Sequence, residues 1–215
     1  MEVLSFNGSP RRDGTTATLL KKALEGATSQ GAETELIQLN QLNMKGCQAC
    51  FSCKKRGGKS YGKCVQKDDM TELYGRIEQA DALILGSPIY FGAITSGMQM
   101  FVERLYPYLN LGTLSSNFPK KTHLGLIYTM AADEQTAKAF NGYIQFNQMI
   151  LSMLFGSVET LVSIDAFHVK DYSKIVADAI EPWVPRKLKH QQEVFPLDCE
   201  KAFEMGAKFA DRVSR

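Results

Sequence analysis

The strongest constraint on the fold is a change of hydrophobic pattern within the first two dozen residues. Glu2-Val3-Leu4-Ser5-Phe6-Asn7 is an apolar run that suits a buried strand, and it breaks on Gly8-Ser9-Pro10. From Thr15 onward, Leu19, Leu20, Ala23 and Leu24 recur at helical spacing. Strand, loop and helix in direct succession suit an anion, because the first N–H groups of a helix have no partner within it. Ser9, Thr15 and Thr16 add hydroxyl donors, and Arg11 or Arg12 supplies charge. An N-capped surface helix is the plainer reading of the same stretch.

Two common phosphate loops fit this stretch badly. A Walker A loop places four residues between its glycines and then a lysine, whereas Gly8 and Gly14 enclose five and Thr15 follows. The dinucleotide fingerprint needs G-x-G-x-x-G and an acid after the second strand. Here that strand, residues 33–39, runs out into Asn40-Gln41. A loop of hydroxyls without a P-loop lysine suits a terminal monophosphate better than a di- or triphosphate.

The same alternation continues along the chain. A first helix is expected over 15–29, stopping at Gly31, and Asp68-Asp69 reads as the N-cap of a helix through Leu73, Tyr74 and Ile77. Ala82-Leu83-Ile84-Leu85-Gly86 is a continuous apolar run, as expected of a central parallel strand. It ends in a second strand-to-helix loop, Ser87-Pro88-Ile89-Tyr90-Phe91-Gly92. A helix follows from Thr95-Ser96 with Met98, Phe101, Val102 and Leu105 on one face. Further strands are expected at 123–129 and 158–169, with helices at 141–155 and 197–213. The tail 171–196 reads as irregular or partly helical, broken by Pro182, Pro185 and Pro196.

This order predicts an α/β fold: a doubly wound, five-stranded parallel sheet in the order 2-1-3-4-5 with helices on both faces. Ligands then bind where the carboxyl ends of strands one and three part, which brings 9–16 and 87–92 to one crevice. The 215 residues suit a single domain, 1–215, with a cysteine-containing insertion at 43–66 and the irregular segment 171–196. A net charge of +2 gives no case for nucleic acid or an anionic membrane. Val3 to Phe6 is too short for a signal core, and no window is long and apolar enough to span a bilayer, so a cytoplasmic protein is expected. In that compartment the five cysteines are thiols or ligands rather than a disulfide framework.

Taken together, the two loops resemble the NADPH-dependent FMN reductase family of flavodoxin-like flavoproteins. The resemblance is carried by Gly8-Ser9-Pro10-Arg11-Arg12-Asp13-Gly14-Thr15-Thr16, by Gly86-Ser87-Pro88-Ile89-Tyr90-Phe91-Gly92, and by the helix from Ser96 to Arg104. Cys47-Gln48-Ala49-Cys50-Phe51-Ser52-Cys53, Gly62-Lys63-Cys64 and Asp68-Asp69-Met70 resemble the iron–sulfur flavoprotein branch. The likeness is clear over 1–130 and faint beyond. It implies that Ser9, Arg11, Gly14, Thr15 and Thr16 bind the phosphate of FMN. Pro88, Ile89, Tyr90, Phe91 and Gly92 would line the isoalloxazine ring. Thr129 and Met130 would form a third wall, although Thr129-Met130-Ala131-Ala132 lacks the glycines that relatives carry there.

The activity implied is electron transfer from NAD(P)H through FMN to a quinone, a flavin, another small molecule or a redox protein. The alternative is a flavodoxin-type or iron–sulfur carrier, or a redox sensor, without fast NAD(P)H turnover. FMN itself would carry the chemistry, so no general acid is assigned. Relatives are commonly homodimers or homotetramers, and the same is expected here.

Cys47, Cys50, Cys53 and Cys64 read C-x2-C-x2-C-x10-C, and four thiolates is the number a [4Fe–4S] cluster takes. Structural zinc and free or reversibly oxidised thiols remain open alternatives. The lysines and arginine beside these cysteines are expected to lower their thiol pKa values. Cys199 reads as a small core residue, and His123, His168 and His190 are too scattered for a metal site.

Overall fold

The computed structural model describes residues 1–213. Five strands build the main parallel sheet: β1 (Glu2–Asn7), β2 (Glu33–Gln38), β3 (Ala82–Tyr90), β7 (His123–Thr129) and β8 (Val158–Ser163). Their order is β2-β1-β3-β7-β8, which is 2-1-3-4-5 counted along these five. Phe6 lies opposite Ile37 on one side and Leu85 on the other, and Leu85 lies opposite Leu126. Three two-residue strands complete the set: β4 (Ala93–Ile94) pairs with the end of β3, while β5 (Leu109–Asn110) and β6 (Ser115–Ser116) pair with each other.

Because successive strand residues face opposite sides, the apolar runs serve two cores. Leu4, Phe6, Leu83, Leu85, Leu124 and Leu126 face one layer, formed by α2 (Met70–Gln79), α3 (Ser96–Glu103) and α5 (Asn141–Phe155). Val3, Ile84, Ile127 and Leu161 face the other, formed by α1 (Thr15–Ser29) and α7 (Phe195–Val213). The short α4 (Glu134–Lys138) and α6 (Val184–Glu193) complete the helices. Helices α1 and α7 meet backbone to backbone. A Cβ on Gly26 would lie 2.0 Å from the Phe203 carbonyl oxygen, and one on Gly206 would lie 1.7 Å from that of Ala23.

Four expectations need correction. Strand β3 does not end at Gly86; it runs on to Tyr90 and turns back into β4, so the second loop is a hairpin. Strand β8 stops at Ser163 rather than reaching residue 169, which frees the segment after it to cross the end of the sheet. The tail is more helical than its prolines suggested, because Pro185 and Pro196 fall in the first turns of α6 and α7, where a missing N–H costs nothing.

Finally, Asp68-Asp69 is not a simple cap, since the Asp69 side chain makes no cap bond and accepts from the Asn43 amide instead. Asp68 accepts from the Met70 amide and also takes both Nη groups of Arg104, which is 1% exposed.

Candidate functional site

The loops after β1 and β3 are locked to each other. The Gly8 amide donates to the Gly86 carbonyl at 2.8 Å, and Thr95 Oγ donates to the Gly8 carbonyl at 2.7 Å. Thr95 also caps α3, accepting from the Met98 amide, while its own amide donates to Ser87 Oγ at 3.0 Å. Asn7 shapes the first loop from inside: its Oδ1 accepts from the Ser9 amide at 2.9 Å, and its Nδ2 donates to Gln38. Gly8 has no room for a side chain, since a Cβ there would stand 2.8 Å from that of Met98.

A cleft of about 170 Å³ opens between these loops. Ser9, Arg11, Gly14, Thr15, Thr16, Pro88, Ile89, Tyr90, Thr129 and Met130 all line it. Helix α1 starts there with Gly14 as its N-cap and no side-chain cap, so its first amides have no capping acceptor from that residue. Thr16 Oγ faces Thr129 Oγ at 2.7 Å, which joins the first loop to the wall after β7.

Phe91 does not line the cleft; it sits fully exposed at the hairpin tip, and Gly92 borders an adjoining hollow. Both tip residues have positive φ, +51° and +89°, as a two-residue type I′ turn requires. A phenylalanine held there costs on the order of 1–3 kcal/mol of backbone strain, which tends to persist where function needs the geometry.

The fourth wall was not legible as such. Ala166, Phe167 and His168, expected within a strand, line the cleft together with Ala131. Lys187 of α6 holds this wall in place. It is completely buried, and its Nζ donates to the carbonyls of Ala131 and of Ala166, the latter at 3.1 Å. Asp165, with φ +51°, lies 3.7 Å from that Nζ; its Oδ1 accepts from Arg186 Nη2 and Nε at 2.8 and 3.0 Å, and its Oδ2 accepts from Nε at 3.2 Å. Burial pulls the Lys187 pKa down, and Asp165 opposes that fall. His168 is also lowered, by burial and then by the charges of Lys187 and Arg11, so its ring is neutral at pH 7. The sequence signal available for this wall was the run Arg186-Lys187 on an otherwise unassigned helix.

The cysteine segment has little regular structure and is pinned by side chains. Arg104 Nη1 donates to the Lys45 carbonyl at 2.9 Å, and Lys54 Nζ donates to the carbonyls of Pro107 and Leu109 while lying 4.7 Å from the Tyr106 ring centroid. Cys47, Cys50, Cys53 and Cys64 line one small hollow of about 20 Å³. Among the described residues no three His, Cys, Asp or Glu side chains stand close enough together to hold a metal ion.

The basic neighbours do not lower the thiols uniformly. Cys50 is lowered by hydrogen bonds from Ser52, whereas burial raises Cys53 against the pull of Lys54. Cys199 is half-buried against the α1–α7 core. His123, whose Nδ1 is 2.6 Å from Ser157 Oγ, begins β7, at the opposite end of that strand from the cleft residue Thr129.

A model of the NADPH-dependent FMN reductase family matches residues 1–149. The chain belongs to this family. It is 37% identical over 107 residues to an iron–sulfur flavoprotein of Methanocaldococcus jannaschii, covering 50% of this chain and 53% of that protein. An iron–sulfur flavoprotein of Archaeoglobus fulgidus is 34% identical over 118 residues, covering 55% and 51%. The chain thus spans about half the length of these curated relatives.

Among solved structures, NAD(P)H:quinone oxidoreductase from Methanothermobacter marburgensis superposes with a TM-score of 0.70 at 15% identity, over 96% of this chain and 98% of that one. An azoreductase from Bacillus anthracis gives 0.63 at 12%, over 97% and 99%. At such identities the shared feature is the flavodoxin-like fold. Among the described residues no helix is long and apolar enough to cross a membrane.

Proposed function

We propose that the chain is an FMN-dependent oxidoreductase that takes electrons from NAD(P)H and passes them to a small-molecule acceptor. The observation that carries this reading is the convergence of an uncapped helix start, three hydroxyls and Arg11 with the Pro88–Tyr90 strand end in one cleft. The donor set fits the group. The amides at the start of α1, the hydroxyls of Ser9 and Thr15 and the Arg11 guanidinium would take a phosphate monoester. Thr16, already facing Thr129, would tie that loop to the third wall. Pro88, Ile89, Tyr90 and Met130 would hold a flat ring, with the backbone of Phe91 and Gly92 at its edge.

When bound, FMN supplies two-electron chemistry at its ring, accepting hydride from a nicotinamide and passing electrons on. The chain's part is to grip, orient and shield. Backbone donors at the hairpin would offset negative charge on the ring's pyrimidine edge without a titrating side chain. The neutral His168 adds no charge beside it.

A second reading is favoured by the four cysteines around one hollow and by the iron–sulfur relatives: Cys47, Cys50, Cys53 and Cys64 would hold a [4Fe–4S] cluster, and the protein would act as an electron-transfer flavoprotein. Four thiolates is the number such a cluster takes.

One preparation tests both readings. Anaerobically purified protein is expected to show flavin bands released on denaturation and to oxidise NADPH with menadione. Colourless protein that takes up no FMN refutes the first reading. Iron near background in the anaerobic sample refutes the second.

A further inference from the structure

Beside the cleft lies a second hollow, of about 380 Å³, part of whose outer side, Ile180, Trp183 and Arg186, lies beyond the family match. It shares Ile89, Met130, Ala131 and His168 with the cleft, so the two are continuous where the flat ring is proposed to lie. Its far side comes from α4, the turn into α5, and the C-terminal tail: Thr136, Phe140, Ile180, Trp183 and Arg186. Trp183 is the chain's single tryptophan and is 44% exposed. An indole left this open beside a cleft is a stacking platform.

The charge around the hollow is balanced. The Arg186 guanidinium stands 5.8 Å from the Trp183 ring centroid, within cation–π range. Asp165 takes it in bidentate fashion, and Asp133 lies 3.6 Å from its Nη1. The Asp165 carboxylate is matched in addition by the buried Lys187, 3.7 Å away. Two cations thus face two carboxylates, and no net positive charge is left to draw a pyrophosphate. A dinucleotide would bring several negative charges against Asp133. An uncharged flat molecule would meet mainly apolar and aromatic surface, with Asp133 and Arg186 already paired to each other and the Thr136 hydroxyl and the His168 ring to meet carbonyl oxygens.

We infer that this hollow is the acceptor site, and that it takes an uncharged bicyclic quinone stacked on Trp183. The inference rests on the flavin reading above and specifies its acceptor. The balance is that of a two-electron reduction: hydride leaves the nicotinamide with two electrons and one proton. By way of FMN the quinone gains both electrons, and its two oxygens take two protons, one counted from that hydride and one from solvent. The tail 171–196, outside the region of family resemblance, thereby sets acceptor choice.

The test uses FMN-loaded protein labelled with 5-fluorotryptophan, whose one fluorine resonance reports on Trp183. Menadione is expected to move that resonance saturably, while NADP+ at equal concentration moves it far less. Trp183→Ala should raise the KM for menadione roughly tenfold, and Trp183→Phe should restore it to within about threefold, since a phenyl ring still stacks. The KM for ferricyanide, which needs no stacking surface, serves as the comparison. An unmoved resonance, an equal shift with NADP+, or equal rises in both KM values overturns the inference. If the wild-type protein fails to take FMN in a separate titration, the flavin reading has failed and this one falls with it. If FMN binds and the resonance stays still, only the quinone site is refuted.

Discussion

Replacing Lys187 with methionine isolates the role of the C-terminal helix in shaping the cleft. The side chain is completely buried, so methionine keeps most of its volume and removes only the ammonium. Two carbonyls, of Ala131 and Ala166, lose their donor. Each left buried and unpaired costs about 1–3 kcal/mol. Against this, the variant escapes the desolvation of a buried cation, which is worth several kcal/mol on its own. Asp165 keeps its bidentate Arg186 and is not stranded, so the loss stays below that of a fully broken buried pair.

With about 2–6 kcal/mol lost at the two carbonyls and several kcal/mol of desolvation relieved, the net destabilisation is at most about 3 kcal/mol, or up to roughly 10 °C in Tm for a chain of this length. Calorimetry with and without FMN should show a lower Tm in both states. It should also show a smaller FMN-induced rise, because the two carbonyls belong to cleft-lining residues.

The pH dependence follows from the direction of the shift. Burial holds folded Lys187 below the usual lysine value of 10.5, so the unfolded chain binds the extra proton between the two values. Wild-type stability should therefore rise as pH climbs through the folded value toward 10.5, and Lys187→Met should lack that rise. A variant that loses stability yet binds FMN with wild-type affinity and an unchanged FMN-induced Tm gain would falsify the claim that this lysine shapes the cleft.

Thr15→Val and Arg11→Ala should each weaken FMN binding by about 1–3 kcal/mol, roughly five- to 150-fold in Kd, read by fluorescence titration. Unchanged affinity in both would remove the phosphate assignment. Asp68→Asn should cost about 2–4 kcal/mol at pH 7, since it leaves Arg104 buried against a neutral partner. Burial opposes ionisation of Asp68, but Arg104 and the Lys45 amide outweigh it and hold the carboxyl below its ordinary value of 3.8. This stability is present above the ordinary value and is lost as pH falls through the folded one, so urea melts of wild type and variant should converge in acid. Gly206→Ala should prise α7 from α1 at a cost of about 2–4 kcal/mol, because the obstructing atom is a backbone carbonyl that cannot rotate away. A variant within about 0.5 kcal/mol of wild type would mean that the helices separate freely.

The parts of the molecule legible in the sequence are those fixed by local pattern. Val3 to Phe6 and Leu83 to Leu85 alternate between two cores, so their apolar runs and the helices between them give the strand order. The first cleft loop was legible because Gly8 and Pro10 end β1 by backbone chemistry alone. The hairpin was not, because Phe91 adopts a positive φ that its side chain disfavours, and the pairing of Ile89 with Ile94 and of Tyr90 with Ala93 holds it there. Asp68 was misread for a related reason: its partner Arg104 lies thirty-six positions away, and no local pattern encodes that distance. The fourth wall was hidden in the same manner, since Val158 to Val169 reads as one apolar stretch until Lys187 draws the Ala166 carbonyl across the sheet end.

Together these features imply a division of labour along the chain. Everything proposed to grip the phosphate and the near face of the ring comes from residues 8–16, 87–92 and 129–130, carried on the carboxyl ends of three adjacent strands. Those positions are set by sheet register and by the Gly8–Gly86 and Gly8–Thr95 bonds, so they tolerate little variation. The outer side is built differently: Ala166 to His168 close the cleft and Ile180, Trp183 and Arg186 line the adjoining hollow, held by Lys187 and Arg186 against Asp165 and Asp133. A surface held by a few side-chain bonds can change its lining without disturbing the sheet beneath it. Differences among related chains in what is reduced are then expected to lie in the C-terminal tail, where the match to the family model has already ended.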